Sequence, residues 1–106
     1  MPRYLWRVRY STEGARGLLA EGGSARSDAI SEMVESVGGR VEVCYFAFGP
    51  DDLVVIGEVP DEVAAAALSV RTAASGAAVS RTVPLLTPAQ LDEAVARDVA
   101  YRAPGG

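Results

Sequence analysis

Two apolar runs, Arg40 to Phe48 and Leu53 to Val59, are separated by only four residues, Gly49-Pro50-Asp51-Asp52. No other feature constrains the fold as tightly. Gly, Pro and Asp are turn formers, so the two runs read as strands joined by a short hairpin loop. In the first strand, Val41, Val43, Tyr45 and Ala47 are expected on one face, and Glu42, Cys44, Phe46 and Phe48 on the other. Both faces are largely apolar, which predicts a sheet covered on both sides. The domain's own helices can cover one side; the other calls for a second copy of the chain.

The flanking segments complete the pattern. "YLWRVRY", Tyr4 to Tyr10, alternates with a period of two and reads as a strand, with Tyr4, Trp6, Val8 and Tyr10 on one face and Leu5, Arg7 and Arg9 on the other. Ser11-Thr12-Glu13-Gly14 then turns the chain, and "ARGLLAEGG" reads as a short helix closed by glycine. Ser24 is the expected N-cap of an amphipathic helix carrying Ala25, Ala29, Ile30, Met33, Val34 and Val37, ended by Gly38-Gly39. Asp61 is expected to cap an alanine-rich helix that stops at Gly76. "AAVSRTV" gives the fourth strand, and Thr87-Pro88 starts a further helix to about residue 100.

Leaving aside the short first helix, the order is β-α-β-β-α-β-α. Two βαβ halves linked through a hairpin make a ferredoxin-like split βαβ sandwich, an α+β fold with a four-stranded antiparallel sheet, helices on one face and a C-terminal helix added. Residues 1–100 are expected to form one domain and 101–106 a loose tail. A chain of 106 residues suits a single domain and buries roughly 65% of its unfolded surface.

Composition narrows the chemistry. The net charge of −4 gives nucleic-acid binding no support. No apolar run approaches the roughly 20 residues of a membrane span, and the Arg-interrupted "MPRYLWRVRY" is not the apolar stretch of a signal peptide. A cytoplasmic location is the expectation. The single Cys44 excludes an intrachain disulfide and a multi-cysteine metal site. The chain has no His and no Lys, and its ten basic residues are all Arg. That removes the commonest general base and metal ligand, a histidine-ligated haem, and a lysine Schiff base. No cofactor and no metal is expected. Acid–base work falls to Asp, Glu, Tyr, Cys44 or the amino terminus, where loss of Met1 would expose the secondary amine of Pro2.

A set of landmarks runs through the chain: Tyr4 on the first strand, Thr12-Glu13-Gly14, Gly22-Gly23-Ser24 with Arg26, Gly38-Gly39, Tyr45-Phe46-Ala47-Phe48-Gly49, Asp52, Pro60, Ser75-Gly76 and Leu85 to Pro88. On these the sequence, from about Arg3 to Leu91, resembles the GYD domain family of small bacterial proteins. In the glycine-tyrosine-aspartate signature, Gly49 and Asp52 match the glycine and aspartate, while Asp51 stands where the family has tyrosine. The family is similar to the dimeric α+β barrel superfamily, so the resemblance implies two ferredoxin-like sheets packed face to face, in a homodimer or a higher even oligomer. Superfamily relatives include cofactor-free monooxygenases, lactone isomerases, haem enzymes and stress proteins, so the fold does not select a function.

Candidate site residues follow from both readings. Asp52, with Tyr45 nearby, is the acid–base candidate for a cofactor-independent, monooxygenase- or isomerase-like enzyme acting on a small aromatic or lactone-like substrate. Asp52 is alternatively a brace of the turn, and Asp51 is expected to face water. Tyr4, Trp6, Tyr10, Phe46 and Phe48 can line a pocket for a small organic ligand between sheet and helices. Arg26, with Arg7 and Arg9, can hold a carboxylate or phosphate; Arg7 and Arg9 are otherwise expected to pair with Glu42 or Glu58. The binding or structural module is preferred to the enzyme.

Overall fold

The computed structural model describes residues 1–106. Four strands and four helices follow in the order β1 (Arg3–Tyr10), α1 (Thr12–Glu21), α2 (Gly23–Ser36), β2 (Arg40–Phe46), β3 (Leu53–Glu58), α3 (Glu62–Ser75), β4 (Ala78–Leu85) and α4 (Pro88–Val95). The sheet order is β2-β3-β1-β4 and every neighbouring pair is antiparallel. This is the ferredoxin-like split βαβ arrangement, with β1 and β3 at the centre.

Alternation along the central strands sorts the residues. Tyr4, Trp6 and Val8 of β1 and Leu53 and Val55 of β3 are buried, and pack with Ile30 and Val34 of α2 and Ala65 and Leu68 of α3. Leu53 is 1% exposed; sinking a side chain of that size contributes about 1.5–3 kcal/mol. The intervening residues Leu5, Val54 and Ile56 lie on the opposite face, which no helix covers, and are only half-buried.

Three local expectations are corrected. Residues 11–14 do not simply turn: Ser11 caps α1 at once, its side chain accepting from the Gly14 N–H at 3.1 Å, so the helix starts immediately after β1. The N-cap of α2 is Gly22, not Ser24. Gly22 has φ +84°, a backbone region that L side chains rarely adopt, and so it breaks what would otherwise be one long helix into two. In β2, the register slips by one residue between Val41 and Val43: Val41 stands opposite Gly57 while Val43 stands opposite Ile56. Glu42 is the extra residue of this bulge. Val41, Cys44 and Phe46 therefore face the helices while Val43 and Tyr45 face the open side, and the simple alternation expected for this strand fails.

Asp61 caps α3 as expected, accepting from the Ala64 N–H at 2.8 Å, and Gly76 closes that helix in the left-handed conformation. Helix α4 is shorter than expected, ending at Val95. Its start has a full capping box, with Thr87 and Gln90 exchanging side chain-to-backbone bonds and proline in the first turn. Yet α4 buries nothing, and every residue from Pro88 onward is exposed. The radius of gyration, 16.7 Å, exceeds the roughly 13 Å of a compact chain this long, because this arm projects from the body.

Candidate functional site

Between the sheet and helices α2 and α3 lies a cavity of about 280 Å³. Its walls are mostly apolar, with Trp6 and Val55 from the sheet, Ile30 and Met33 from α2 and Leu68 from α3. Trp6 reaches it because alternation on the central strand β1 aims its indole at the helices. The ring lies beside Gly57 of β3, where a Cβ would crowd it.

The protein has three buried side-chain polar atoms without a hydrogen-bond partner, Trp6 Nε1, Arg26 Nε and Ser80 Oγ, and all three belong to residues lining this cavity. Left dry and unpaired, each costs about 1–3 kcal/mol. Trp6 is only 5% exposed, so its N–H has no recourse to bulk water. Arg26, in the first turns of α2, has its Nε 3.3 Å from Glu21 Oε1. That is an ion pair without the alignment of a hydrogen bond.

A second hollow, about 340 Å³, lies beneath α1 at one end of the sheet, lined by Tyr10, Leu18, Gly23, Phe46, Phe48 and Asp52 among others. Here Asp52 is a stitch. Its carboxylate accepts from the Tyr10 N–H at 2.9 Å, its own N–H donates to the Val8 carbonyl at 2.8 Å, and its carbonyl accepts from the Ala47 N–H at 2.9 Å. These bonds tie the hairpin to the end of β1. Burial pushes the Tyr10 phenol up from its ordinary value, which keeps it neutral; the charge of Arg26 opposes the shift.

The sequence-predicted residues thus divide among several places. Trp6 and Arg26 meet at the main cavity; Tyr10, Phe46, Phe48 and Asp52 meet at the second hollow. Tyr4 lines neither, and packs in the core with its ring centroid 5.8 Å from that of Trp6. Tyr45 stands opposite Val54 on the open face and is 71% exposed. Asp52 and Tyr45 are therefore not brought together. Nor are Arg7 and Arg9 with Arg26, since they occupy opposite faces of the sheet.

The open face holds a group that sequence reasoning missed. Asp51, expected to face water, is buried at 8% exposure. Its carboxylate accepts from Arg81 Nη2 at 2.6 Å and Arg7 Nε at 2.7 Å. The Arg81 hydrogen bond, reinforced by that of Arg7, holds its carboxyl below the usual carboxylate range against the opposing effect of burial. Arg9 donates to the carbonyls of Gly49 and Pro50, completing the clasp on the hairpin loop. No local sequence signal marks it: the β1–β4 register, a tertiary feature, sets Arg7 directly opposite Arg81, where an acid relieves their repulsion. Glu42 and Glu58, the acids expected for Arg7 and Arg9, lie at the other end of the strands. They pair with Arg3 at 2.7 and 3.0 Å, and Glu58 also with Arg40 at 3.2 Å.

A family model described as GYD domain matches residues 4–95, which takes in β1 from Tyr4 onward and every later strand and helix. The chain belongs to the GYD domain family. No curated protein and no solved structure matches it in parallel comparisons. In this GYD domain, Asp52 is the structural brace of the hairpin and Asp51 the centre of an arginine clasp. No helix of the domain is long and apolar enough to cross a membrane.

Proposed function

We propose that this GYD domain is a homo-oligomeric binding module that holds a small organic molecule between its sheet and helices. The observation carrying this reading is the mostly apolar cavity itself, lined by Trp6, whose buried indole N–H has no partner in the chain. A ligand acceptor there would recover the cost of leaving it unpaired. The oligomer rests on the open sheet face. Half-buried Leu5, Val54 and Ile56 lie at its centre, with Tyr45, Val79 and Val83 exposed around them. Most charges at both ends of this face make ion pairs within the chain, while Arg9 meets only the backbone carbonyls of Gly49 and Pro50. A second copy laid face to face would cover the apolar centre and leave the charged groups at its two ends. A cytoplasmic setting accords with the single unpaired Cys44.

The enzyme reading draws less support. No carboxylate lines the main cavity, and the Asp52 carboxylate is engaged by the Tyr10 N–H.

Native mass spectrometry of the untagged chain as purified tests the proposal. An even-numbered assembly carrying a discrete additional mass, lost in Trp6→Phe, is the expected result. A monomer that retains nothing and takes up no small aromatic molecule would overturn it.

A further inference from the structure

Trp6, Ser80, Arg26 and Arg71 share more than a cavity: their free hydrogen-bonding capacity is almost entirely that of donors. The indole Nε1–H and the guanidinium groups can only donate. Ser80 Oγ is unpartnered and can do either. The remaining hydroxyls on α3 already make hydrogen bonds, and their oxygens keep some acceptor capacity. Ser69 shares a bond with Thr82, Thr72 donates to the Leu68 carbonyl, and Ser75 donates to the Thr72 carbonyl. None of the 15 lining residues is Asp or Glu. The one acid beside the lining, Glu21, offsets part of the charge of Arg26. Arg71 makes no ion pair with any residue.

We infer that the occupant of this cavity is a small organic monoanion: a single-ring or similarly compact carboxylate with a second acceptor at a distance from the acid. The inference rests on the binding-module reading above and specifies its ligand. Three properties set the class. The walls are mostly apolar, so the body of the ligand is apolar. The volume, about 280 Å³, lies at the lower edge of the roughly 300–1,000 Å³ of drug-sized ligand pockets, so that body is small. The charge facing it is one free arginine plus one that Glu21 partly neutralises, which balances a single carboxylate better than a phosphate dianion. Arg71 is solvent-exposed and Trp6 deeply buried. The carboxylate therefore takes the arginine mouth, and the second acceptor lies at the deeper end, towards Trp6 and Ser80.

The chain's single tryptophan makes the test direct, because a uniformly 15N-labelled sample gives one indole N–H resonance, and it belongs to the cavity. The probes are 4-hydroxybenzoate and its uncharged counterpart 4-hydroxybenzamide, titrated into the full chain. The carboxylate should move the indole resonance saturably and bind at least about tenfold more tightly than the amide, the size of one charge-assisted hydrogen bond. In Arg71→Gln that advantage should shrink toward unity. Equal binding of the two probes by the wild-type chain would overturn the anion assignment and leave the binding module standing. So would an advantage that survives both Arg71→Gln and Arg26→Gln. An indole resonance that neither these probes nor neutral phenol and benzyl alcohol can move would overturn the module itself.

Discussion

The two faces of one sheet have been built by different physics. On the helix side, Tyr4, Trp6, Val8, Leu53 and Val55 are sealed by α2 and α3 in a mostly apolar core. On the open side, residues one position along the same strands are half-exposed. The charges are gathered at the two ends, Asp51 with Arg7 and Arg81 at one and Arg3, Arg40, Glu42 and Glu58 at the other. The first face is finished within the chain. The second is tidied rather than finished: its acids are each paired with arginines and its apolar centre is left bare. An antiparallel sheet face in water commonly carries polar residues, whereas Leu5, Val54 and Ile56 are apolar.

This contrast can be broken most severely at matched positions on β3. Leu53→Ala, on the sealed face, should cost about 3 kcal/mol in denaturant unfolding, in the range of buried leucine truncations. Ile56→Ala, on the open face, should cost about 1 kcal/mol if the chain is studied as a monomer. If the open face is covered by a second copy, the Ile56→Ala cost should approach that of Leu53→Ala and grow with protein concentration.

Next in size is Asp51→Asn, which leaves Arg7 and Arg81 facing each other with no charge between them. The melting temperature at neutral pH should fall by several degrees. The sign of the acid response follows from the depressed carboxyl. Its stabilisation is fully present above the unfolded value, about 3.9, and is lost as pH falls through the lower folded value. Melts at successively lower pH should therefore bring wild type and Asp51→Asn together below about pH 4. A gap that stays constant down to pH 2 would show that packing, not charge, holds the clasp.

The smallest effect belongs to Trp6→Phe in the empty protein. Losing part of the indole leaves space in the core, but it also removes an unpaired donor whose burial costs about 1–3 kcal/mol. The net change should stay within about 1 kcal/mol, well below an ordinary buried truncation, while probe binding is lost.

Much of the sealed face was legible in the sequence. Period-two alternation in Tyr4 to Tyr10 gave the orientation of Trp6, and the Asp61 cap and the turn at Gly49-Pro50 are local signals that tertiary structure did not override. The open face was read poorly because its order is not local. The bulge at Glu42 inverts the rest of β2 by inserting one residue, and no periodicity announces it. Asp51 looked like a loop residue until the β1–β4 register placed two arginines over it. Tyr45 was offered as a partner of Asp52 by closeness in sequence, but strand pairing put its phenol on the other side of the sheet. Whether Trp6 Nε1 finds a partner in the chain depends on what surrounds the indole, which residue type alone does not reveal.

Helix α4 has one more consequence. Its capping box and N-terminal proline specify where it starts, yet nothing in the body holds it, and a helix of 8 residues is marginal alone. Its amide hydrogens should thus exchange with solvent through fraying of the arm itself, far faster than those of β1 and β3, which open only with the whole domain. The chain then comprises two cooperative units of unequal permanence. Any slowing of exchange confined to residues 88–95 would report that the arm had found a surface to rest on, with no change required in the domain behind it.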